Sequence, residues 1–137
     1  MAQVRNVVKP NKAPKPAGMY SQGVRAGGKE LLFIAGQVAL NANGDLVGAG
    51  DVRAQTKQVF DNIGSVLADA GASYDNIVEL TSFVVGRESV AGFLEARTGF
   101  FPKLFPKGDY PPNTLLVVAG LAKPEWLVEV KAIAALG

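Results

Sequence analysis

An α+β domain is the fold class this sequence predicts, with a mixed sheet carrying two helices on one face. Three observations predict it. Apolar residues recur at helical spacing between Asp51 and Gly71, and again between Ser89 and Leu104. Ile77–Val85, Leu115–Ala119 and Leu127–Ala135 are apolar runs of strand length. Turn-forming glycines and prolines punctuate the chain between these segments.

Taken in order, Lys9 to Ala17 holds three of the eight prolines and three lysines. That composition disfavours helix and ladder pairing alike and reads as a loop or extended arm. Strands follow at Ser21–Ala26 and Glu30–Gln37, and Gly27-Gly28 between them suits a turn with positive φ, so the two read as a hairpin. Asn41–Gly50 is a turn-rich link. Asp51 caps a helix whose stripe is Val52, Val59, Ile63, Val66, Leu67 and Ala70, closed by Gly71 in a left-handed C-terminal position. Ile77–Val85 is a buried strand. Phe93, Arg97, Phe100, Phe101 and Leu104 then mark a second helix, and two strands complete the order strand-strand-strand, helix, strand, helix, strand-strand. Amphipathic helices cover one sheet face only. Leu115–Val118 and Leu127–Val130 are apolar on both faces, so a further subunit is expected against the other.

A chain of 137 residues is large enough to hide roughly two-thirds of its extended surface, and residues 1–137 are read as one domain with no linker. Only 19% of residues are charged while 48% are hydrophobic, which is thin charge for a monomer and points to burial between subunits. The net charge of +2 is too small an excess for a phosphate-tracking surface, so nucleic acid is not the expected partner. With no Cys and no His, thiolate nucleophiles, disulfides, zinc-thiolate sites and histidine-based triads are excluded, and no metal is expected. Acid–base work falls to carboxylates, Lys, Tyr or water. The N-terminus has Lys and Pro where a secretory signal needs an apolar core, and no run reaches membrane-span length, so the cytoplasm is the expected location.

The chemistry is expected near Tyr110-Pro111-Pro112-Asn113-Thr114, between a helical pattern and two apolar runs, the second of which contains the acid Glu129. Several further stretches carry a resemblance. Tyr20-Ser21-Gln22-Gly23-Val24, Leu32-Phe33-Ile34-Ala35-Gly36-Gln37, Gln55, Asn62-Ile63 and Val128-Glu129-Val130 together resemble the Rid family, the reactive intermediate deaminases, also called YjgF-like or L-PSP proteins. The resemblance spans nearly the whole chain. It implies a chorismate-mutase-like fold and a homotrimer around a β-barrel-like centre. It also implies clefts between subunits where enamines and imines such as 2-aminoacrylate are hydrolysed without a cofactor.

The chain departs from the deaminase pattern at one site after another. Where the deaminase branch reads Pro-Ala-Arg-Ser, this chain reads Pro111-Pro112-Asn113-Thr114, so a carboxamide replaces the guanidinium that clamps a substrate carboxylate. That exchange counts against 2-aminoacrylate as substrate. Ala35, Leu94 and Leu115 stand where the family often has Ser, Asn and Cys. The residues that remain are Glu129 as the catalytic candidate and Tyr20, Gly36, Gln37, Asn113 and Thr114 as ligand-binding candidates.

Each has a plainer reading. Glu129 either activates water or is an interface carboxylate paired with Lys131 or a neighbouring subunit. Asn113 either orients a ligand or starts a strand after Pro112. Tyr20 closes a cleft or simply packs, and Gln37 meets a ligand beside Gly36 or ends a strand. Trp126 and Phe105 either line the cleft or pack at an interface. Lys9, Lys12 and Lys15 read as a solvated arm, because no aromatics interleave with them as RNA binding would need. The alternatives to a hydrolase are a non-catalytic metabolite-binding trimer and, with least support, an RNA-binding protein or ribonuclease.

Overall fold

The structure, a computed structural model, describes residues 5–137. Its strands are β1 (Arg5–Val8), β2 (Gly23–Ala26), β3 (Glu30–Gln37), β4 (Ile77–Val85), β5 (Asn113–Val118) and β6 (Val128–Leu136). Its helices are α1 (Val52–Asp69) and α2 (Ser89–Leu104). The expected order holds, and its third strand, to which the sequence pattern assigns no residues, is β1. Four strands form a mixed sheet in the order β3-β6-β4-β5, with β4 and β5 parallel and the other pairs antiparallel. β1 and β2 form a separate antiparallel ribbon.

The expected β2–β3 hairpin is not formed. β2 pairs with β1, while β3 pairs with β6 through Leu31↔Ala135 and Phe33↔Ile133. Gly27-Gly28 is still a turn, but one that redirects the chain between two sheets. Gly28 has φ +141° and lies so close to β6 that a Cβ there would stand 3.0 Å from the Leu136 carbonyl carbon, and the Lys29 amide donates to Leu136 O at 2.8 Å. Apolar strand content gave no information on which strand β3 would choose.

α1 begins where Asp51 accepts the Arg53 and Ala54 amides at 3.0 and 3.2 Å, and ends before Gly71, whose φ is +73°. Val59, Phe60, Ile63 and Leu67 face the sheet and are buried. α2 returns antiparallel to β4. The Ser89 hydroxyl donates to Val85 O at 2.6 Å at one end, and Phe105 packs on Tyr74, just before β4, at the other. Phe101, Phe105 and Tyr110 form an aromatic cluster against Phe60, with Phe101 stacked on Tyr110 and Phe105 edge-to-face with both. Phe105 therefore belongs to the core and not to a ligand cleft.

Both helices lie on one face of the sheet, where Ile34, Leu80, Val84, Val128, Val130 and Ala132 are buried. The opposite face is bare in the isolated chain. On it Phe33 pairs with Ile133 and Ile133 with Glu79, and further along Glu129 pairs with Phe83 and Phe83 with Leu116. Phe33 is 70% exposed and Leu31 58%, in a protein where large apolar side chains ordinarily find cover.

Arg5 ties the ribbon to the core. Its guanidinium is buried and donates to Ile77 O at 2.6 Å, Asp109 O at 2.5 Å and Tyr74 O at 3.3 Å, with Asp75 at 3.8 Å. Burial pulls its pKa below the usual arginine value, opposed by Asp75 and Asp109. Arg5→Met would leave these carbonyls facing an apolar side chain. It is expected to destabilise the protein by about 3 kcal/mol, read as a lowered denaturation midpoint with unchanged slope.

Candidate functional site

The β3–β6 ladder carries a bulge beside Glu129, away from the Tyr110–Thr114 stretch where the chemistry was expected. Ile34 pairs with Ala132 and Gln37 with Val130, so β3 spends one extra residue at Ala35-Gly36. The Glu129 carboxyl folds over this bulge. A Cβ on Gly36 would collide with Glu129 Oε2 and stand 2.8 Å from its carboxyl carbon. Gly36 is thus glycine because an acid occupies the space above it. Gln37 serves the same feature, its Nε2 donating to Ala35 O at 3.1 Å.

Glu129 is half-buried on the open face and is paired across the ladder with Phe83. The ion pairs among the described residues are Arg5–Asp75, Arg53–Glu95 and Lys57–Asp61. The Lys131 partner that the plainer reading offers Glu129 is not among them. Among the described residues, then, no cation takes up the Glu129 carboxyl, which general-base chemistry would require. Gly36→Ala is expected to displace this carboxyl while changing stability by less than about 1 kcal/mol, because the neighbour that must move is a flexible side chain. Ammonia release from an imine, measured beside the thermal midpoint, checks both halves of that expectation.

Asn113 begins β5 on the other side of the sheet. It pairs with Leu80, a helix-face residue, and its Oδ1 accepts the hydroxyl of the buried Ser82 at 2.7 Å. This leaves its NH₂ group as the donor for any ligand. Thr114 is exposed and points to the open face with Thr81. Tyr20 and Ser21 approach the same corner, the Ser21 hydroxyl donating to Tyr110 O and the Ser21 amide to Pro111 O at 3.4 Å. The Tyr20 hydroxyl accepts the Ala17 amide at 3.2 Å. Its ring lines a groove of about 630 Å³ between the proline-rich arm and Lys107–Asp109.

The candidates therefore fall into two groups. Glu129, Gly36 and Gln37 form one, and Tyr20 and Asn113 the other. By register Glu129 is level with Leu116, two strands away, and Asn113 lies three residues before Leu116. The two side chains are offset by roughly 10 Å across the sheet and roughly 10 Å along it, on opposite faces. No single chain can hold one small ligand between them.

Two residues that carry the resemblance are structural. Gln55 is buried, donating to Gly48 O and Glu125 O and accepting the Leu127 amide, while Asn62 donates to Val38 O and Leu40 O. Sequence reasoning passed over Ser82 and Arg97. Arg97 carried a signal, being a charge inside the apolar stripe of α2. Among the described residues no cluster of His, Cys, Asp or Glu is placed to hold a metal, and no helix is long and apolar enough to cross a membrane.

Comparison with known proteins agrees with this fold. The family model of endoribonuclease L-PSP matches residues 10–136. A solved structure of a protein of unknown function of the conserved Rid protein family, from Yersinia pestis, superimposes with a TM-score of 0.86 at 38% identity, covering 97% of this chain and 99% of that one. The 2-iminobutanoate/2-iminopropanoate deaminase of Mus musculus is 30% identical over 134 residues, 98% of this chain and 93% of the mouse protein. TdcF of E. coli, solved with bound serine, is similar with a TM-score of 0.70 and 27% identity over 96% of this chain and 99% of TdcF.

Proposed function

The chain belongs to the endoribonuclease L-PSP (Rid) family, and from that premise we propose that it hydrolyses small imines or enamines, without a cofactor, in clefts between the subunits of a homotrimer. The observation that carries this reading is the Glu129 carboxyl, without an ion-pair partner among the described residues and laid over the Gly36 bulge. The carboxylate takes a proton from water as the water oxygen adds to the C=N carbon. The carboxylic acid so formed returns that proton to the nitrogen to give the carbinolamine, whose hydroxyl proton then passes through the same carboxyl to the nitrogen as the C–N bond breaks, so that ammonia leaves with a carbonyl product behind. The mouse relative's name specifies imine substrates and TdcF holds an amino acid, which supports small imino acids as the class.

The trimer follows from two apolar patches of different shape. One is the open sheet face with Leu31, Phe33 and Leu116; the other is the β5 edge with Val117 and Leu94, which are 42% and 39% exposed. Leu94 lies on the flank of α2 away from α1, since Gly92 meets Val52 and Phe100 meets Phe60 on the other side. Unlike patches that fit each other make a heterologous contact, and such contacts form a ring when a threefold rotation closes them. That ring brings Glu129 of one subunit opposite Asn113 and Tyr20 of the next, which is how residues on opposite faces come to share a ligand. The reading places the protein in the cytoplasm.

A second reading, a trimer that binds a metabolite without turning it over, is favoured by the Ser82 bond that occupies the Asn113 carbonyl. RNA cleavage has no histidine to work with. The test is ammonia release from 2-aminoacrylate and 2-iminobutanoate generated in situ. Release above the uncatalysed rate supports the hydrolase, and none with either imine leaves the binding trimer.

A further inference from the structure

We infer that the Arg97 guanidinium is a carboxylate receptor of the ligand cleft, so that the ligands of this chain carry a carboxylate even though Asn113 offers none a charge. The inference rests on the cleft proposed above and adds a residue to it. Arg97 is 4% exposed on the sheet-facing side of α2, with its Cζ 5.1 Å from the Phe93 ring centre and 5.0 Å from that of Phe101. Its Nε and Nη1 are sealed without any acceptor. Three of its five N–H donors are therefore unsatisfied, while Nη2 is not sealed in this way.

The contrast with Arg5 is direct. That equally buried guanidinium has three carbonyls and an acid around it. Around Arg97 there is no acid among the described ion pairs, and burial alone lowers its pKa with no carboxylate opposing. Two ring faces return only part of what desolvating a cation costs, and a methionine would fill the same stripe without that cost. A planar fork held rigid between aromatic faces is suited to a carboxylate arriving from outside the chain.

Its place in the fold agrees. α2 runs antiparallel to β4 from the Ser89–Val85 bond. Eight helical residues advance about 12 Å, which is between three and four strand residues. Arg97 is therefore level with Ser82, whose hydroxyl bonds Asn113. Exposed Leu94 stands one turn before it on the flank assigned to the subunit contact. The guanidinium thus lies behind the Asn113 half of the cleft, across from the Glu129 that the next subunit supplies.

The test is calorimetric binding of 2-oxobutanoate and of its neutral amide, 2-oxobutanamide, to the native protein, Arg97→Met, Arg97→Lys and Glu129→Gln. The native protein and Glu129→Gln are expected to prefer the carboxylate by about tenfold or more, Arg97→Met to lose the preference, and Arg97→Lys to keep only part of it. Arg97→Met is expected to fold with an undiminished thermal midpoint, since it removes an unpaired buried charge. Should it not fold, Arg97→Lys carries the test alone. No preference in the native protein, an intact preference in Arg97→Met, or an unweakened carboxylate affinity in Arg97→Lys would overturn the inference. If ammonia release is absent yet the preference depends on Arg97, the hydrolase fails and the receptor stands. Turnover with a preference indifferent to Arg97 removes the receptor alone.

Discussion

Glu129→Gln is expected to lower ammonia release from 2-iminobutanoate by at least about 100-fold, the range over which a positioned general base ordinarily contributes. The amide keeps the size of the carboxyl and its seat above Gly36, but it cannot take a proton from water. The KM should change less than kcat, since the group acts on the attacking water rather than in holding the ligand. Subunit assembly and thermal midpoint should be unaltered, because the side chain has no ion-pair partner among the described residues to lose. A variant with native kcat would end the catalytic reading of Glu129, and a variant that dissociates would make it the interface carboxylate of the plainer reading. Gly36→Ala probes the same carboxyl from beneath, so the two substitutions should converge on one defect.

Phe33→Asp is expected to convert the trimer to monomers at micromolar concentration, read by light scattering as a fall from three times the 14.3 kDa chain mass to that mass itself. Phe33 is the most exposed large apolar side chain of the open face at 70%. Burying it contributes about 2 kcal/mol at each subunit contact, and a buried unpaired carboxylate in its place costs several more. In a ring the loss recurs at every contact. The folded core should survive, because Phe33 points away from the helices. Activity should vanish with assembly, since Glu129 and Asn113 lie on opposite faces of one sheet and, in the proposed trimer, meet only across a subunit boundary. A monomer that still releases ammonia would refute the shared cleft.

The elements were legible where local chemistry decides them. Asp51 and Gly71 bracket α1 through hydrogen bonds and a positive φ that depend on a few neighbouring residues. Ile77–Val85 and Ser89–Leu104 are bounded by their own composition. The pairing of β3 was not legible, because an apolar strand suits any apolar partner and only the whole sheet selects β6 over β2. The role of Phe105 was misread for a related reason: a loop position says nothing of the aromatic cluster that closes over it.

The candidate site divides in the same way. Glu129 stood out as one acid in an apolar run, and Gly36 as a glycine inside a strand, yet only the tertiary structure joins them through the bulge. Asn113 and Tyr20 were singled out with them, and the structure sets them apart on the other side of the sheet. Sequence by itself determined the element order, which follows from side-chain periodicity and residue chemistry along the chain, and the family, through the resemblance its motifs carry, and it singled out Glu129 as the candidate acid. Only the tertiary structure decided strand partners, the faces on which the acid and the amide point, and the isolation of Arg97, because each depends on residues distant in sequence competing for one place in space.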